Sequence, residues 1–366
     1  MNPLVFHFLT HHSKEASKWP LYTELRRLNG GDGIEVFADC VPLSYGHRWQ
    51  LMVFGWPKLV FSSLKLALLS VRHRSRPEFV IVEEHIQFWC VFLVWSLCSL
   101  FCWTKKPRFV YLGFIFTSRK SAVLNMFRMF YFRLLFHLVN DVINYSDYER
   151  DHLSELFQGC RARFSSIHYG IGDHETTRKH ADEMRLSTHL KPRKEELGLL
   201  SAGRSCRDYA TLFESMRALQ TPIDCTVICD SYTELPVTLW NPAIVVLRSC
   251  YGQEYTRCII ESDVVVVPLR DSMVSAGQMV ALHALAAGKP VIISDTPITR
   301  EYFGNCGSVH FVKLADSNSL TKSICMLEKQ LLFKEQFFEQ SRSFFEANFA
   351  INRFAFRLFN SIVESM

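Results

Sequence analysis

The stretch from Asp263 to Tyr302, DVVVVPLRDSMVSAGQMVALHALAAGKPVIISDTPITREY, constrains the fold more than any other part of the chain. Val264 to Leu269 is a short apolar, β-branched run of the kind that forms a buried parallel strand. Ser272, Ser275, Ala276 and Gly277 follow, and of the residues between them only Met273 and Val274 are large enough to block a ligand. Gln278 to Ala287 predicts a helix closed by Gly288, and Pro290 to Ser294 the next strand. A strand-to-helix turn of this composition points free backbone N–H groups, and the positive end of a helix, at whatever sits above the sheet. That is an anion site, and phosphate is its usual occupant.

A second turn of the same kind is LLSAGRSCR, Leu199 to Arg207. It follows a strand and opens a helix, with Gly203 where a backbone must approach a ligand closely. Arg204 and Arg207 add two cations spaced so that both can face one phosphate pair. Two anion-binding loops in one domain point to a diphosphate.

A chain of 366 residues suits two domains rather than one core. The first half alternates predicted strands (Leu4 to Leu9, Ile34 to Ala38, Phe79 to Val82, Phe109 to Ile115, Val142 to Tyr145, Arg163 to Ile171) with helical stretches (Lys14 to Leu28, Trp56 to Arg72, Ile86 to Trp103, Ser121 to Phe136, Asp147 to Phe157). This alternation predicts a doubly wound parallel sheet. Gly172 to Glu196 is polar and charged and reads as the connection between domains. A second alternation begins at Leu197, and the phenylalanine-rich tail from Ser319 to Met366 reads as helical. The expected division is residues 1–172, residues 173–345, and a terminal helix, 346–366, that packs back on the first domain.

The net charge is +5, but its distribution says more. From His85 to Asn140 there is no Asp or Glu, yet there are seven Lys or Arg, interleaved with aromatic residues. This composition suits an interfacial basic helix on an anionic membrane surface, and solvated charges flanking a buried helix are the alternative reading. Nothing in it resembles an RNA-binding module, so nucleic acid is not an expected partner. Within it, Ile86 to Trp103 is 18 residues without a charge, the lower limit for a membrane span. Predicted strands flank it on both sides, and a span would separate them across a bilayer, so a domain helix is expected. The twelve cysteines contain no CxxC pair and read as small buried hydrophobes in a reducing compartment. The N-terminus, MNPLVFHFLTHH, lacks the pattern of a signal peptide.

The residues GRSCRDY (Gly203 to Tyr209), DVVVVPL (Asp263 to Leu269) and SAGQMVALHALAAGKPVIISD (Ser275 to Asp295), with INYSDYERDHL (Ile143 to Leu153) and SIHYGIGDH (Ser166 to His174), resemble the family-4-like glycosyltransferases (glycosyl transferases group 1). The likeness extends to their relatives in bacterial polysaccharide assembly. It covers about two thirds of the chain and is strongest in the second domain. It implies the GT-B fold: an α/β chain with two Rossmann-like doubly wound domains, a cleft between them, and a C-terminal helix crossing back. It also implies sugar transfer from a nucleotide-diphosphate sugar to a glycan or lipid-linked acceptor, at the cytoplasmic, inner face of the plasma membrane. By position Gly203, Arg204 and Arg207 resemble the first diphosphate-binding set, and Ser275, Ala276, Gly277 and Gln278 the second. The family's two glutamates around the second loop are replaced by Ser275 and His283, with His283 in the place that grips the donor ribose.

Sugar transfer of this kind needs charge neutralised on the leaving diphosphate. Arginine and helix N-termini can do that, and no D-x-D pair stands at a predicted strand end, so neither a cofactor nor Mg²⁺ or Mn²⁺ is expected. On the acceptor side, His11, His12 and Ser13 follow the first strand, and Glu83, Glu84 and His85 follow the third, at the ends where open α/β sheets bind ligands. Glu83 or Glu84 suits a general base; a carboxylate stabilising a helix N-terminus is the alternative use. A silent scaffold of the same fold and a nucleotide-sugar epimerase are the alternative functions. No G-x-G-x-x-G follows the first strand, which argues against a nicotinamide-dependent oxidoreductase.

Overall fold

The computed structural model describes residues 4–11, 20–39, 51–73, 76–102, 106–116, 121–172, 197–203, 206–221, 223–231, 233–271, 273–330 and 334–364. The chain divides into two units, residues 1–167 with 354–366, and residues 168–353.

The first unit runs β1 (Phe6–Thr10), α1 (Pro20–Leu28), β2 (Ile34–Ala38), α2 (Trp56–Arg72), β3 (Phe79–Val82), α3 (His85–Cys102), β4 (Arg108–Leu112), α4 (Ala122–Leu138), β5 (Asp141–Asn144), α5 (Asp147–Leu156) and β6 (Arg163–Ser166). Its sheet has the order β2-β1-β3-β4-β5-β6, with every neighbouring pair parallel. Parallel neighbours require crossovers, and these are right-handed. The chain steps one way from β1 to β2 and the other way from there to β6. This places α1 on one face and α2 to α5 on the other.

The pleat of β1 shows both faces. His7 Nδ1 lies 2.7 Å from Ser70 Oγ of α2. On the opposite pleat Phe6 stacks on Phe79 and touches Phe359 of the C-terminal helix. The helical side is the main core: Leu66 and Ala67, Phe88 and Val91, and Leu135 and Phe136 close over Val80, Val82 and Phe109.

This topology decides the uncharged segment from Ile86 to Trp103. Its helix, α3, connects β3 to β4, which pair in one sheet with Val80 opposite Phe109. A helix that returns the chain to the neighbouring strand does not cross a bilayer. The same holds for Val53–Arg72, which is long and apolar enough to span, with a mean hydropathy of 1.2. It joins β2 to β3 and buries Leu66 and Ala67 completely.

The second unit runs β7 (Leu197–Ala202), α6 (Tyr209–Ala218), β8 (Ile223–Cys229), β9 (Ile244–Arg248), α7 (Gln253–Glu261), β10 (Val264–Val267), α8 (Gln278–Ala286), β11 (Val291–Ser294), α9 (Pro297–Phe303), β12 (Val309–Val312), α10 (Ser317–Gln330) and α11 (Lys334–Asn348). Its parallel sheet has the order β12-β11-β10-β7-β8-β9. The last helix, α12 (Ile351–Val363), belongs to the first unit from Phe354 onward, where Arg163 Nη2 donates to the Ser361 carbonyl at 2.8 Å.

The tail is helical as expected, in three helices, α10 to α12. Two local expectations change. The run from Arg163 to Ile171 is not one strand: β6 stops at Ser166, and Ile171 pairs with Ala350 instead. Helix α9 and strand β12 were not foreseen. The first is capped by a Thr296–Thr299 box, with threonine where a glutamate would mark it in sequence. The second is only four residues, VHFV, with its middle pair half-buried. Helix α9 also explains where the units divide. The division falls after Ile167 rather than Gly172, because His168 Nε2 lies 2.7 Å from Glu301 Oε1 and Tyr169 N donates to Tyr302 Oη at 2.9 Å, both on α9. Residues 173–196, the expected connection, lie outside the described residues.

Asp141, fully buried at the start of β5, ties three strands together. It accepts from Arg108 Nη2 of β4 at 3.1 Å and from Arg163 Nε of β6 at 2.9 Å. Both arginines are partly exposed and can turn to water if it is removed. Asp141→Ala is therefore expected to cost about 2–3 kcal/mol, below the usual loss for a fully buried pair. Urea unfolding of the variant checks this, and an unchanged midpoint would show that the carboxylate does not hold the strands.

Candidate functional site

Open parallel sheets bind ligands beyond the carboxyl ends of their strands, where the strand order reverses. In the second unit the chain moves outward from β7 to β8 and β9, then returns to β10 on the other side of β7. The reversal therefore lies between β7 and β10. The loops that leave these two strands are the two glycine turns singled out in the sequence, around Gly203 and Gly277.

The two loops are bonded to each other. Arg207 and Leu269 form an isolated antiparallel bridge, Asp208 N donates to the Pro268 carbonyl at 3.0 Å, and Arg270 N to the Cys206 carbonyl at 2.9 Å. Leu269 N is in turn held by Ser294 Oγ at 2.8 Å. Asp208 caps α6, accepting from Thr211 N at 3.2 Å, so its carboxylate is committed to structure.

Arg207 lies under both turns. Its side chain is 7% exposed, and Nε donates to the Ala202 carbonyl at 2.7 Å. A Cβ at Gly203 would lie 2.6 Å from the guanidinium carbon, and one at Gly277 would lie 3.8 Å from Nη1 and 2.7 Å from Val267 Cγ1. Both glycines have positive φ, +131° and +90°. A residue with a side chain fits at neither place. Burial lowers the pKa of the Arg207 guanidinium, opposed by the phenols of Tyr209 and Tyr255. Burial raises both phenols, opposed by Arg207. The Tyr209 hydroxyl donates to the Gly203 carbonyl at 2.8 Å and fixes the first turn from below.

Gly277 is the N-cap of α8, and no side chain caps that helix end. Its first backbone N–H groups and its dipole face the loop that carries Ser275 and Ala276. Gln278, the first residue of α8, is 7% exposed, and its Nε2 has no hydrogen-bond partner among the described residues. His283 sits about 7.5 Å further along the helix axis. Its ring stands edge-on to Tyr255 at 5.7 Å, the tyrosine that also feels Arg207. An open cavity of about 600 Å³ adjoins Arg207, with Cys206, Tyr209, Asp230, Glu234 and Arg270 on its wall. That volume falls within the range of small-molecule sites. Of the predicted residues, Gly203 and Gly277 thus pack on the buried Arg207, Gln278 follows Gly277 at the start of α8, and His283 is linked to the same cation through Tyr255. Arg204 lies outside the described residues. Sequence reasoning passed over Tyr255, a lone tyrosine on α7, the helix that leads into β10, and treated Tyr209 only as part of a motif.

The first unit repeats the device. Its strand order reverses between β1 and β3. Thr10, at the end of β1, donates from Oγ1 to Glu83 Oε2 at 2.9 Å. The next residue, His11, has Nδ1 3.1 Å from the Asp39 carbonyl and Nε2 3.1 Å from Ser63 Oγ of α2. Ser62 Oγ donates to the Asp39 carboxylate at 2.8 Å, and Lys65 Nζ lies 3.5 Å from it. Asp39 is the charged neighbour that no sequence signal marked. Glu83 N and Glu84 N both donate to the buried Gln87 Oε1, at 3.0 and 3.1 Å, which starts α3. Burial and the charges of Glu84 and Glu83 raise the pKa of the Tyr111 phenol on β4. His12 and Ser13 lie outside the described residues.

Comparison with known proteins follows the same division. Residues 200–330, all in the second unit, match the family described as Glycosyl transferases group 1. No curated protein sequence matches the chain. Among solved structures, a glycosyltransferase from Rickettsia africae is 14% identical, with 100% of both chains covered and a TM-score of 0.67. A sucrose-phosphate synthase from Thermosynechococcus elongatus is also 14% identical, with 99% of this chain and 100% of that chain covered and a TM-score of 0.67. HepE from Anabaena, solved with UDP and glucose, is 11% identical, with coverage of 98% and 99% and a TM-score of 0.62. The chain has the GT-B fold of these proteins.

Gly277→Ala puts a side chain at φ +90° and into Val267. It is expected to cost about 2–4 kcal/mol, the sum of left-handed strain and overpacking. Thermal melting measures this, and an unchanged midpoint would mean that the turn does not need its glycine.

Proposed function

We propose that this protein transfers a glycosyl group from a nucleotide-diphosphate sugar to the hydroxyl of a glycan or lipid-linked acceptor. The observation that carries the reading is the Arg207 guanidinium packed against both Gly203 and Gly277 at the reversal of the second sheet. Breaking the bond between sugar and diphosphate adds one negative charge to a diphosphate that already carries two, and that developing charge must be stabilised. Arg207 supplies a fixed cation, and the N-terminus of α8 at Ser275, Ala276, Gly277 and Gln278 supplies backbone donors. Arg204 adds a second cation from the same turn. Gln278 Nε2 is a buried donor ready for a phosphate oxygen. The adjoining cavity suits a nucleoside, and His283 takes a ribose hydroxyl. With charge neutralised in this way, the transfer runs without Mg²⁺ or Mn²⁺ and without a cofactor.

On the acceptor side Glu83 is the proposed base. Its carboxylate is oriented by the Thr10 hydroxyl at the first sheet's reversal, and a fixed carboxylate there can take the acceptor proton. Glu84 helps to start α3, and His11, held between Asp39 and the serines of α2, positions the end of β1. Ser275 and His283 in place of two carboxylates favour a donor sugar gripped by fewer charged contacts.

UDP, present in the solved HepE complexes, is the first probe. Calorimetry with UDP and UDP-glucose is expected to show saturable binding by the wild-type protein. Arg207→Ala should weaken it by about 100-fold or more, with Arg207→Lys in between. Arg207 also bonds Ala202, so melting is followed in parallel and affinities are compared only between folded variants. Chelation with EDTA should leave binding and transfer unchanged. Equal affinity in a folded Arg207→Ala would refute the diphosphate assignment. A folded wild type that binds neither nucleotide would favour the silent scaffold.

A further inference from the structure

The described residues include twenty-five exposed large apolar side chains, and fifteen of them lie on α2, α3 and α4. These three helices are a small part of the chain, so the exposure is concentrated rather than scattered. Phe61 is 75% exposed, Leu100 74%, Phe101 81% and Phe130 71%. Soluble surfaces rarely gather apolar area in this way unless something covers it.

The exposure follows helical geometry. On α2 it falls at Trp56, Val60, Phe61, Leu68 and Leu69; on α3 at Leu93, Leu97, Leu100 and Phe101; on α4 at Val123, Leu124, Met126, Phe127, Phe130 and Leu134. Recurring steps of three, four and seven residues (Leu93–Leu97–Leu100 on α3, Val123–Phe127–Phe130–Leu134 on α4, Phe61–Leu68 on α2) mark one side of each helix. The opposite sides of the same helices are the ones already buried on the sheet. Each helix thus has two apolar sides, one satisfied by the core and one facing outward. The helices are neighbours: Cys90 Sγ of α3 contacts the Val60 carbonyl of α2 at 4.0 Å, and Trp89 Nε1 of α3 donates to Tyr131 Oη of α4 at 2.7 Å.

Charge identifies the occupant. The three helices contain no Asp or Glu, but carry Lys58, Lys65 and Arg72 on α2 and Arg128 and Arg133 on α4. A second copy of this chain would bring the same cations against one another in a symmetric interface. An anionic bilayer offers hydrocarbon to the phenylalanines and phosphate to the cations at once. We infer that the outer face of α2, α3 and α4 docks the protein on an anionic lipid surface.

The face also reaches the acceptor cluster. Exposed Phe54 and Trp56 precede and open α2, and the Trp56 ring lies 6.2 Å from that of His85, next in sequence to Glu84. If the transfer proposed above holds, on which this last step rests, the acceptor hydroxyl belongs to a molecule anchored in that surface.

Co-sedimentation of the full chain with lipid vesicles tests the docking. At low salt the protein is expected to pellet with vesicles of phosphatidylcholine and phosphatidylglycerol, and about tenfold or more less well with phosphatidylcholine alone. Phe61→Glu/Phe101→Glu/Phe130→Glu should weaken pelleting by at least about tenfold while keeping the wild-type melting temperature. Should the added charge disturb folding, Phe61→Ser/Phe130→Ser makes the same comparison without it. Wild-type protein left in the supernatant with the mixed vesicles would overturn the inference. So would folded variants that pellet like the wild type, or a dimer that the variants dissolve without any vesicle binding. UDP binding is measured on the same samples: vesicle binding without UDP binding leaves the docking intact and removes the transfer reading, and the converse removes only the docking.

Discussion

The second unit is organised around one buried cation. A guanidinium taken out of water costs several kcal/mol unless its surroundings compensate. Here the Ala202 carbonyl accepts from Nε, and the Tyr209 and Tyr255 phenols stand close by. The two glycine turns close over it because neither brings a Cβ. Backbone pairing between Arg207 and Leu269 then locks one loop to the other. Remove the glycines and the loops cannot approach; remove the arginine and they close over nothing. An anion above the loops would share the task of compensation, so the same packing that holds the fold prepares a site for negative charge.

Both sheets use the same construction. Each is parallel, each reverses its strand order once, and each gathers polar side chains at the reversal. The reversal is the natural place because two adjacent loops leave in opposite directions and open a crevice between them. In the first unit the crevice holds Thr10 against Glu83, with His11 fixed to Asp39 beside it. The chemistry is then carried on short loops at strand ends, while the strands and inward helix sides supply stability. Crossover handedness has a second consequence. It places α2, α3 and α4 side by side on one face, where their outward sides form a surface that no single helix would make.

Much of this was legible in the sequence because parallel strands are buried on both faces and appear as unbroken apolar runs. VVVV at Val264 and FVIV at Phe79 are examples, and both became strands at the expected places. Gly203 and Gly277 were legible because glycine after a buried strand has few other uses. Helix α9 and β12 were not: a capping box written with two threonines and a strand of four residues leave signals too weak to separate from loop. The unit boundary followed them, since His168 and Tyr169 are held by residues of α9.

The sequence by itself determined the alternating α/β architecture, the two glycine turns and the acid-free apolar helices, because these depend on local pattern and residue type. It could not determine strand order, since every parallel connection looks alike until the chain chooses a side of the sheet. Only the tertiary structure decided that β10 returns beside β7 and β3 beside β1. That choice brings Gly203 to Gly277 across Arg207 and Thr10 to Glu83, pairs that the chain separates by tens of residues and that only packing in three dimensions can join.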